Sequence, residues 1–179
     1  GVKIIDGPEN RIVFIGMDQF RDELLYSNIK GKNPFKDLRV RQALYHAVDI
    51  ETMKTKLMSG QSFPSGGMTP SPKAYFNDPK IEARYPFDVA LAKKLMADAG
   101  LAKGFSVTMT TFASGDYPQV SAVVQSQLKR INIDVNIKAT EIGTFAALYS
   151  AGNYDWFLNG RGMRGDVDGY VQEFHPASS

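Results

Sequence analysis

Asn33-Pro34-Phe35-Lys36-Asp37-Leu38-Arg39-Val40-Arg41-Gln42-Ala43-Leu44-Tyr45-His46-Ala47-Val48-Asp49 is the stretch that decides how this chain is read. It is a helix entrance followed by a short amphipathic helix. Asp37 can accept a hydrogen bond from the first free backbone N–H groups of that helix. Val40, Ala43, Leu44, Ala47 and Val48 then fall at i, i+3, i+4, i+7 and i+8, which makes one apolar stripe. Asp49 closes the helix and is placed to cap the next.

Upstream, residues 11–18 are rich in β-branched and aromatic side chains and predict a strand. A polar segment follows, broken by Lys30-Gly31-Lys32-Asn33-Pro34. Downstream, Ile50, Met53, Leu57 and Met58 share one face of a helix expected over 50–59, with Gly60 as its C-cap. Residues 61–79 hold four prolines and two adjacent glycines, the composition of a surface loop. Asp88 is placed to cap a helix with Leu91, Ala92, Leu95, Met96 and Ala99 on its inner side, ended by Gly100.

Organisation is clearest after that point. Phe105, Val107, Met109 and Thr111 alternate with Ser106, Thr108 and Thr110, the period of a strand. A helix begins near Pro118, with Val120, Val123, Val124, Leu128 and Ile131 facing one way. Ile133, Val135, Ile137 and Ala139 alternate with Asp134, Asn136 and Lys138 in a second strand. Thr140 can cap a helix that ends at Gly152, and residues 154–158 predict a short, nearly all-apolar strand. This βαβαβ order favours parallel strands joined by right-handed helical crossovers. The segment from Asn159 to Gly169 is expected as a loop just past the last strand. In open α/β sheets, ligands bind beyond the carboxyl ends of the strands.

The bulk numbers bound the function. A chain of 179 residues supports one domain with a real core, burying roughly 70% of its unfolded surface. Apolar residues make up 43% and charged residues 22%, with a net charge of +2. No basic run or basic–aromatic stripe points to nucleic acid. No apolar stretch approaches the roughly 20 residues of a membrane span. The absence of cysteine removes disulfides and thiolate metal sites from this chain.

Taken together, these motifs resemble the second lobe of family 5 extracytoplasmic solute-binding proteins, the receptors of peptide, nickel and oligosaccharide ABC importers. The pattern Pro-Phe-x-Asp-x-Arg-Val-Arg-Gln-Ala-Leu-x-x-Ala-x-Asp covers Pro34 to Asp49. A helix ending at Gly60, a proline-rich loop at 64–72 and a Tyr-x-x-Asp helix from Tyr85 to Gly100 follow in the family's order. Gln127-Leu128 to Ile133-Asp134-Val135 is similar to another family segment, with Asn132 in place of the usual glycine, and Tyr154-Asp155 is similar to its closing strand. The resemblance implies an α/β lobe of periplasmic-binding-protein type, with a mixed sheet containing a βαβαβ unit flanked by helices. It further implies that residues 1–179 are a single, incomplete second lobe of a two-lobe receptor. Such a receptor would capture a peptide or similar small solute as a monomer and deliver it to ABC permease subunits. It would sit in the periplasm or otherwise outside the cytoplasm, free or lipid-anchored. No cofactor, metal or nucleic-acid partner is expected.

Candidate ligand residues follow from the strand-end rule. Asn159, Arg161, Met163, Arg164 and Asp166 belong to the predicted loop, and Thr110 and Thr111 end a neighbouring strand expected to open onto the same edge. The guanidinium groups of Arg161 and Arg164 suit a carboxylate or phosphate, because they donate in a planar fork. In peptide-binding members an aspartate shortly after the last strand pairs with the peptide's amino group; here Asp166 comes slightly late. The same residues also read as a solvated connection with glycine hinges. Arg39 and Arg41 read as local pairing residues on a helix flank. His46 and His175 lack metal-ligand spacing. Trp156 reads as core, with Phe157 on the opposite face. Two other classes stay open: a sensor domain reusing this lobe, and an enzyme using Asp166 and Asp168. The second lacks a visible nucleophile or metal cluster.

Overall fold

A computed structural model describes residues 11–67 and 83–162, together with Lys3, Glu9 and Lys80. The chain forms two compact units. The larger, Phe14–Pro64 with Tyr85–Asn159, holds nearly every described element. The smaller comprises Gly1–Val13, Ser65–Arg84 and Gly160–Ser179. Arg11 pairs with Glu9 at 2.9 Å, and Arg84 donates to the Ser65 carbonyl at 2.5 Å.

Side-chain oxygens start the helices. Asn33 accepts from the Phe35 N–H at 2.9 Å, opening a single turn over Pro34–Lys36. Asp37 accepts from Arg39 N at 2.9 Å and begins α1, Leu38–Ala47. Arg39 doubles back onto Asp37 at 2.6 Å and donates to the Asp98 carbonyl, also at 2.6 Å. That guanidinium, ahead of the helix N–H, lowers the Asp37 pKa. Arg41 donates to the carbonyls of Phe35 and Lys36. Both arginines of the signature thus serve the local fold, as their sequence position predicts.

Asp49 caps α2, Ile50–Thr52, through bonds from the Thr52 N–H at 3.0 Å and hydroxyl at 2.6 Å. The helix predicted over 50–59 departs from regular geometry at once. Met53–Leu57 forms a wider turn, closed by Met58 N on the Met53 carbonyl at 3.0 Å. Thr55 turns its hydroxyl back onto the Glu51 carbonyl at 2.9 Å. Such back-bonding competes with the regular ladder, and wide turns of this kind interrupt helices at such points. Asp88 caps α3, Val89–Asp98, accepting from Leu91 N at 2.9 Å.

The sheet has four strands in the order β1-β4-β2-β3, with β1 Arg11–Met17, β2 Phe105–Phe112, β3 Ile133–Thr140 and β4 Trp156–Gly162. It is a mixed sheet in which β2 runs parallel to both neighbours, with Phe105 opposite Ile133 and Met109 opposite Trp156. The crossovers carry α4, Tyr117–Leu128, and α5, Ile142–Ser150. The three strands predicted to be neighbours are neighbours. Two boundaries differ. Thr140 remains in β3, its hydroxyl on the Thr111 carbonyl at 3.4 Å, so it does not cap α5. β4 starts at Trp156 rather than Tyr154 and continues through Gly162.

Register assigns the faces. Phe105, Val107, Met109, Ile133, Val135, Trp156 and Leu158 join Val40, Ala43, Leu44 and Ala47 of α1, and Val124 and Leu128 of α4, in one buried cluster. Phe35 lies in it against Phe105 and Trp156, with ring centroids 6.0 and 5.7 Å away. Truncating a ring so placed costs about 3–5 kcal/mol. The other face holds a second aromatic group centred on Phe157, with Phe14, Phe145, Tyr149 and Tyr154 around it. Gly16 makes room for Phe157: a Cβ there would lie 2.2 Å from the ring. The turn before β3 needs a left-handed residue, and Asn132 supplies it at φ 63°, donating to the Ala102 carbonyl at 3.0 Å. Asparagine tolerates this conformation better than most residues, which explains how it replaces a glycine. Gly104 abuts that turn and has no substitute, since a Cβ would meet the Asn132 carbonyl oxygen at 1.7 Å.

Candidate functional site

β4 positions the described part of the predicted ligand face. Alternation along the strand puts Phe157, Asn159 and Arg161 on one side and Trp156 and Leu158 on the other. Asn159 and Arg161 are both half-buried. They are strand residues, not loop residues as the glycine pattern predicts. Met163, Arg164 and Asp166, like Asp168 and His175, lie outside the described residues.

Thr110 and Thr111 sit differently from the expectation of an open strand end. Both are buried, at 2% and 0% exposure. The Thr111 hydroxyl donates to the Leu158 carbonyl at 3.2 Å, so it ties β2 to β4. The Thr110 hydroxyl is enclosed and has no hydrogen-bond partner among the described residues. The cause is cover on both faces of β2: the helical core lies on the Thr111 side, and the Phe157 group lies on the Thr110 side. His46 is also buried, with Nδ1 2.7 Å from the Pro86 carbonyl. Among the described residues, no three His, Asp or Glu side chains gather as metal ligands do.

The entrance to β4 carries a polar network that sequence reasoning missed. β4 begins only opposite Met109, so among the described residues no strand flanks the first half of β2 on that side. Two side-chain oxygens fill the gap. Asn28 Oδ1 accepts from Ser106 N at 2.8 Å, and Asp155 Oδ2 accepts from Thr108 N at 3.5 Å. Asp155 also receives the Tyr26 N–H on both oxygens, at 3.0 and 3.2 Å, and its carbonyl accepts from Asp18 N at 2.8 Å. The segment 18–33 is thereby fastened along the sheet. Asp18 holds the next turn, accepting from Phe20 N at 2.8 Å and Arg21 N at 3.2 Å, and it pairs with the Arg21 guanidinium. Asn33 closes the segment by donating to the carbonyls of Asp18 and Arg21.

Asp155 is fully buried, and burial raises its pKa. The backbone donors pull the other way, and nearby Asp18 adds to the rise. Burial likewise raises the Tyr154 phenol, with smaller upward pushes from Tyr149 and Asp18 against Arg21. One sequence signal pointed here. Asp155 is a charged residue directly ahead of an apolar strand, and a carboxylate in that position is buried with it unless the chain turns away.

The family comparison covers nearly the whole chain. The model of bacterial extracellular solute-binding proteins, family 5, middle region, matches residues 1–178. The chain belongs to this family. Curated relatives include the glutathione-binding protein GsiB of Salmonella choleraesuis (strain SC-B67), 31% identical over 117 residues. The match spans 65% of this chain and 22% of GsiB. Among solved structures, a dipeptide-binding protein from Pseudoalteromonas sp. SM9913 in complex with Met-Leu is 28% identical with a TM-score of 0.75, covering 92% of this chain and 31% of that one. The substrate-binding domain of an oligopeptide ABC transporter from Bacillus anthracis str. Ames has a TM-score of 0.79 at 19% identity, covering 96% and 34%. The second likeness concerns the fold alone. The chain thus spans about a fifth of its curated relatives' length and about a third of the solved relatives'.

Proposed function

We propose that this chain is most of the second lobe of the substrate-binding component of an ABC importer. The whole receptor captures a peptide or similar small solute between two lobes, outside the cytoplasm, and delivers it to membrane permease subunits without turning it over. The observation that carries this reading is the family match over residues 1–178, together with the parallel β4-β2-β3 core of the fold. The named ligands of two relatives, glutathione and the dipeptide Met-Leu, support a peptide-like solute. Both carry free carboxylates.

The ligand residues assigned by this reading are Asn159 and Arg161 on β4 together with Met163, Arg164 and Asp166, which follow in sequence. Arg161 and Arg164 supply forked donors for a carboxylate, Met163 a pliable apolar contact, and Asp166 a partner for an amino group.

Isothermal titration of the full-length protein with dipeptides, tripeptides and glutathione tests the reading. Saturable heat is expected, with affinity reduced at least about tenfold, or ~1.4 kcal/mol, by Arg161→Glu or Arg164→Glu. Little change in melting temperature should accompany either substitution. If both charge reversals leave affinity untouched, the ligand face lies elsewhere. Release of a chemically altered solute would point to an enzyme instead.

A further inference from the structure

β3 stands last in the strand order, so among the described residues no strand flanks its outer side. Its pairing with β2 shows which backbone groups are left over. The Ala113 N–H donates to the Thr140 carbonyl at 2.9 Å, which places that carbonyl on the β2 side. Backbone groups alternate sides along a strand of a parallel pair. Those of Asp134, Asn136 and Lys138 therefore also face β2, and those of Ile133, Val135, Ile137 and Ala139 face outward. A row of open N–H and C=O groups on an edge is a template for a strand from another molecule.

α4 sends one side chain to that edge. Gln125 Nε2 donates to the Val135 carbonyl at 2.5 Å. This bond belongs to neither the ladder of α4 nor the pairing of β2 with β3. The nearby Gln127 serves differently, accepting from Asp49 N at 2.7 Å within the helical layer. Pinning a glutamine side chain costs rotamer freedom. The result here is that an acceptor near the middle of an open edge is already occupied.

The edge is otherwise suited to a second copy of itself. Two β3 strands laid antiparallel about Asn136 would set Val135 of each opposite Ile137 of the other, both with outward backbone groups. In the same register Asp134 of each copy falls opposite Lys138 of the other, and opposite charges so placed attract. Asp134 and Asn136 are exposed and Lys138 half-buried, so these side chains are within reach of an approaching strand. The Val135 carbonyl would then have to receive the Ile137 N–H of the incoming copy, and Gln125 holds that acceptor.

We infer that Gln125 is an edge guard, which closes the outer side of β3 against strand pairing with a second copy of this chain. The test uses the full-length protein carrying Gln125→Ala or Gln125→Leu. The leucine keeps bulk without a donor, so a folding failure of one variant leaves the other informative. Sedimentation velocity over a concentration series measures association, and circular dichroism confirms that each variant is folded. Both variants should self-associate at a concentration at least about tenfold lower than the wild type. Adding Lys138→Glu sets carboxylates opposite one another and should abolish that gain. Folded variants that associate no more than the wild type would overturn the inference. So would association that persists with Lys138→Glu, since general exposure of apolar surface is indifferent to that charge. No solute enters this measurement, so its outcome is independent of the proposed function.

Discussion

Asp155→Ala, introduced into the full-length protein, separates two forces that act on one buried carboxylate. The substitution strands the Tyr26 N–H, which Asp155 receives at 3.0 and 3.2 Å, and the Thr108 N–H, held at 3.5 Å. A buried donor left without an acceptor costs about 1–3 kcal/mol, and the long Thr108 contact belongs at the low end. Removing a carboxylate whose charged form is penalised by burial offsets part of that. The expected net loss near neutral pH is about 2–3 kcal/mol. For a domain of this size that corresponds to a fall of about 4–12 °C in melting temperature. The pH dependence is the sharper measurement. The folded pKa of Asp155 is raised above 3.8, so across the window from 3.8 up to the folded value the native state binds more protons than the unfolded state. Stability from this group therefore declines as pH rises through that window. The gap in stability between wild type and Asp155→Ala should narrow with rising pH. Chemical denaturation in a pH series measures it, and hydrogen exchange should show residues 18–33 loosening first. A gap that widens with pH would mean that the backbone donors outweigh burial, and the account of this site would be wrong.

Gly104→Ala should cost more than about 2 kcal/mol in a denaturant midpoint, because a Cβ meets the Asn132 carbonyl oxygen at 1.7 Å. Gly100→Ala, with similar positive φ but open space, should cost only about 1 kcal/mol. Asn132→Gly should be nearly neutral to about 1 kcal/mol, trading the Ala102 bond for backbone freedom, whereas Asn132→Val should be strongly destabilising. Asp49→Ala should cost about 1 kcal/mol through the lost cap. The Asp49 pKa is lowered, first by the Thr52 hydroxyl, so this contribution is present above 3.8 and lost as pH falls through the folded value. The isolated chain should bind solute at least about a hundredfold more weakly than the full-length receptor, roughly 2.7 kcal/mol, since half a cleft leaves a ligand exposed. Equal affinity in a side-by-side titration would refute the two-lobe reading.

Much of the fold was legible because local and global signals agree. Asp37, Asp49 and Asp88 cap the helices that their positions announced, and the alternation at Phe105 and Ile133 gives the observed parallel register. Trp156 and Phe157 lie on opposite faces as a period of two requires. The wide turn at Met53–Leu57 was not legible, because an apolar stripe over 50–58 suits a regular helix as well as an interrupted one. Of the network around Asp155 only the burial of the carboxylate itself left a trace in the sequence; its partners did not. Asn28, Asp155 and Ser106 are brought together by the register of β4 on β2, and composition says nothing about where a strand begins.

The predicted site shows the same limit from the other side. Asn159-Gly160-Arg161-Gly162 carries glycine spacing that reads as a loop, yet these residues extend β4. Glycine weakens a strand by about 0.5–1 kcal/mol relative to alanine, too little to stop one already seated between two others, and β4 lies between β1 and β2. Thr110 and Thr111 read as polar residues at an open end, but a strand covered on both faces buries a hydroxyl wherever a carbonyl can receive it. Leu158 offers one to Thr111. Each misreading follows from treating a strand end as a property of its own sequence. In a parallel sheet the end is set by the neighbours. The polar groups that remain candidates for a ligand are therefore those on the strand that outruns its neighbour's pairing, which moves the weight of the assignment from β2 to Asn159 and Arg161 on β4.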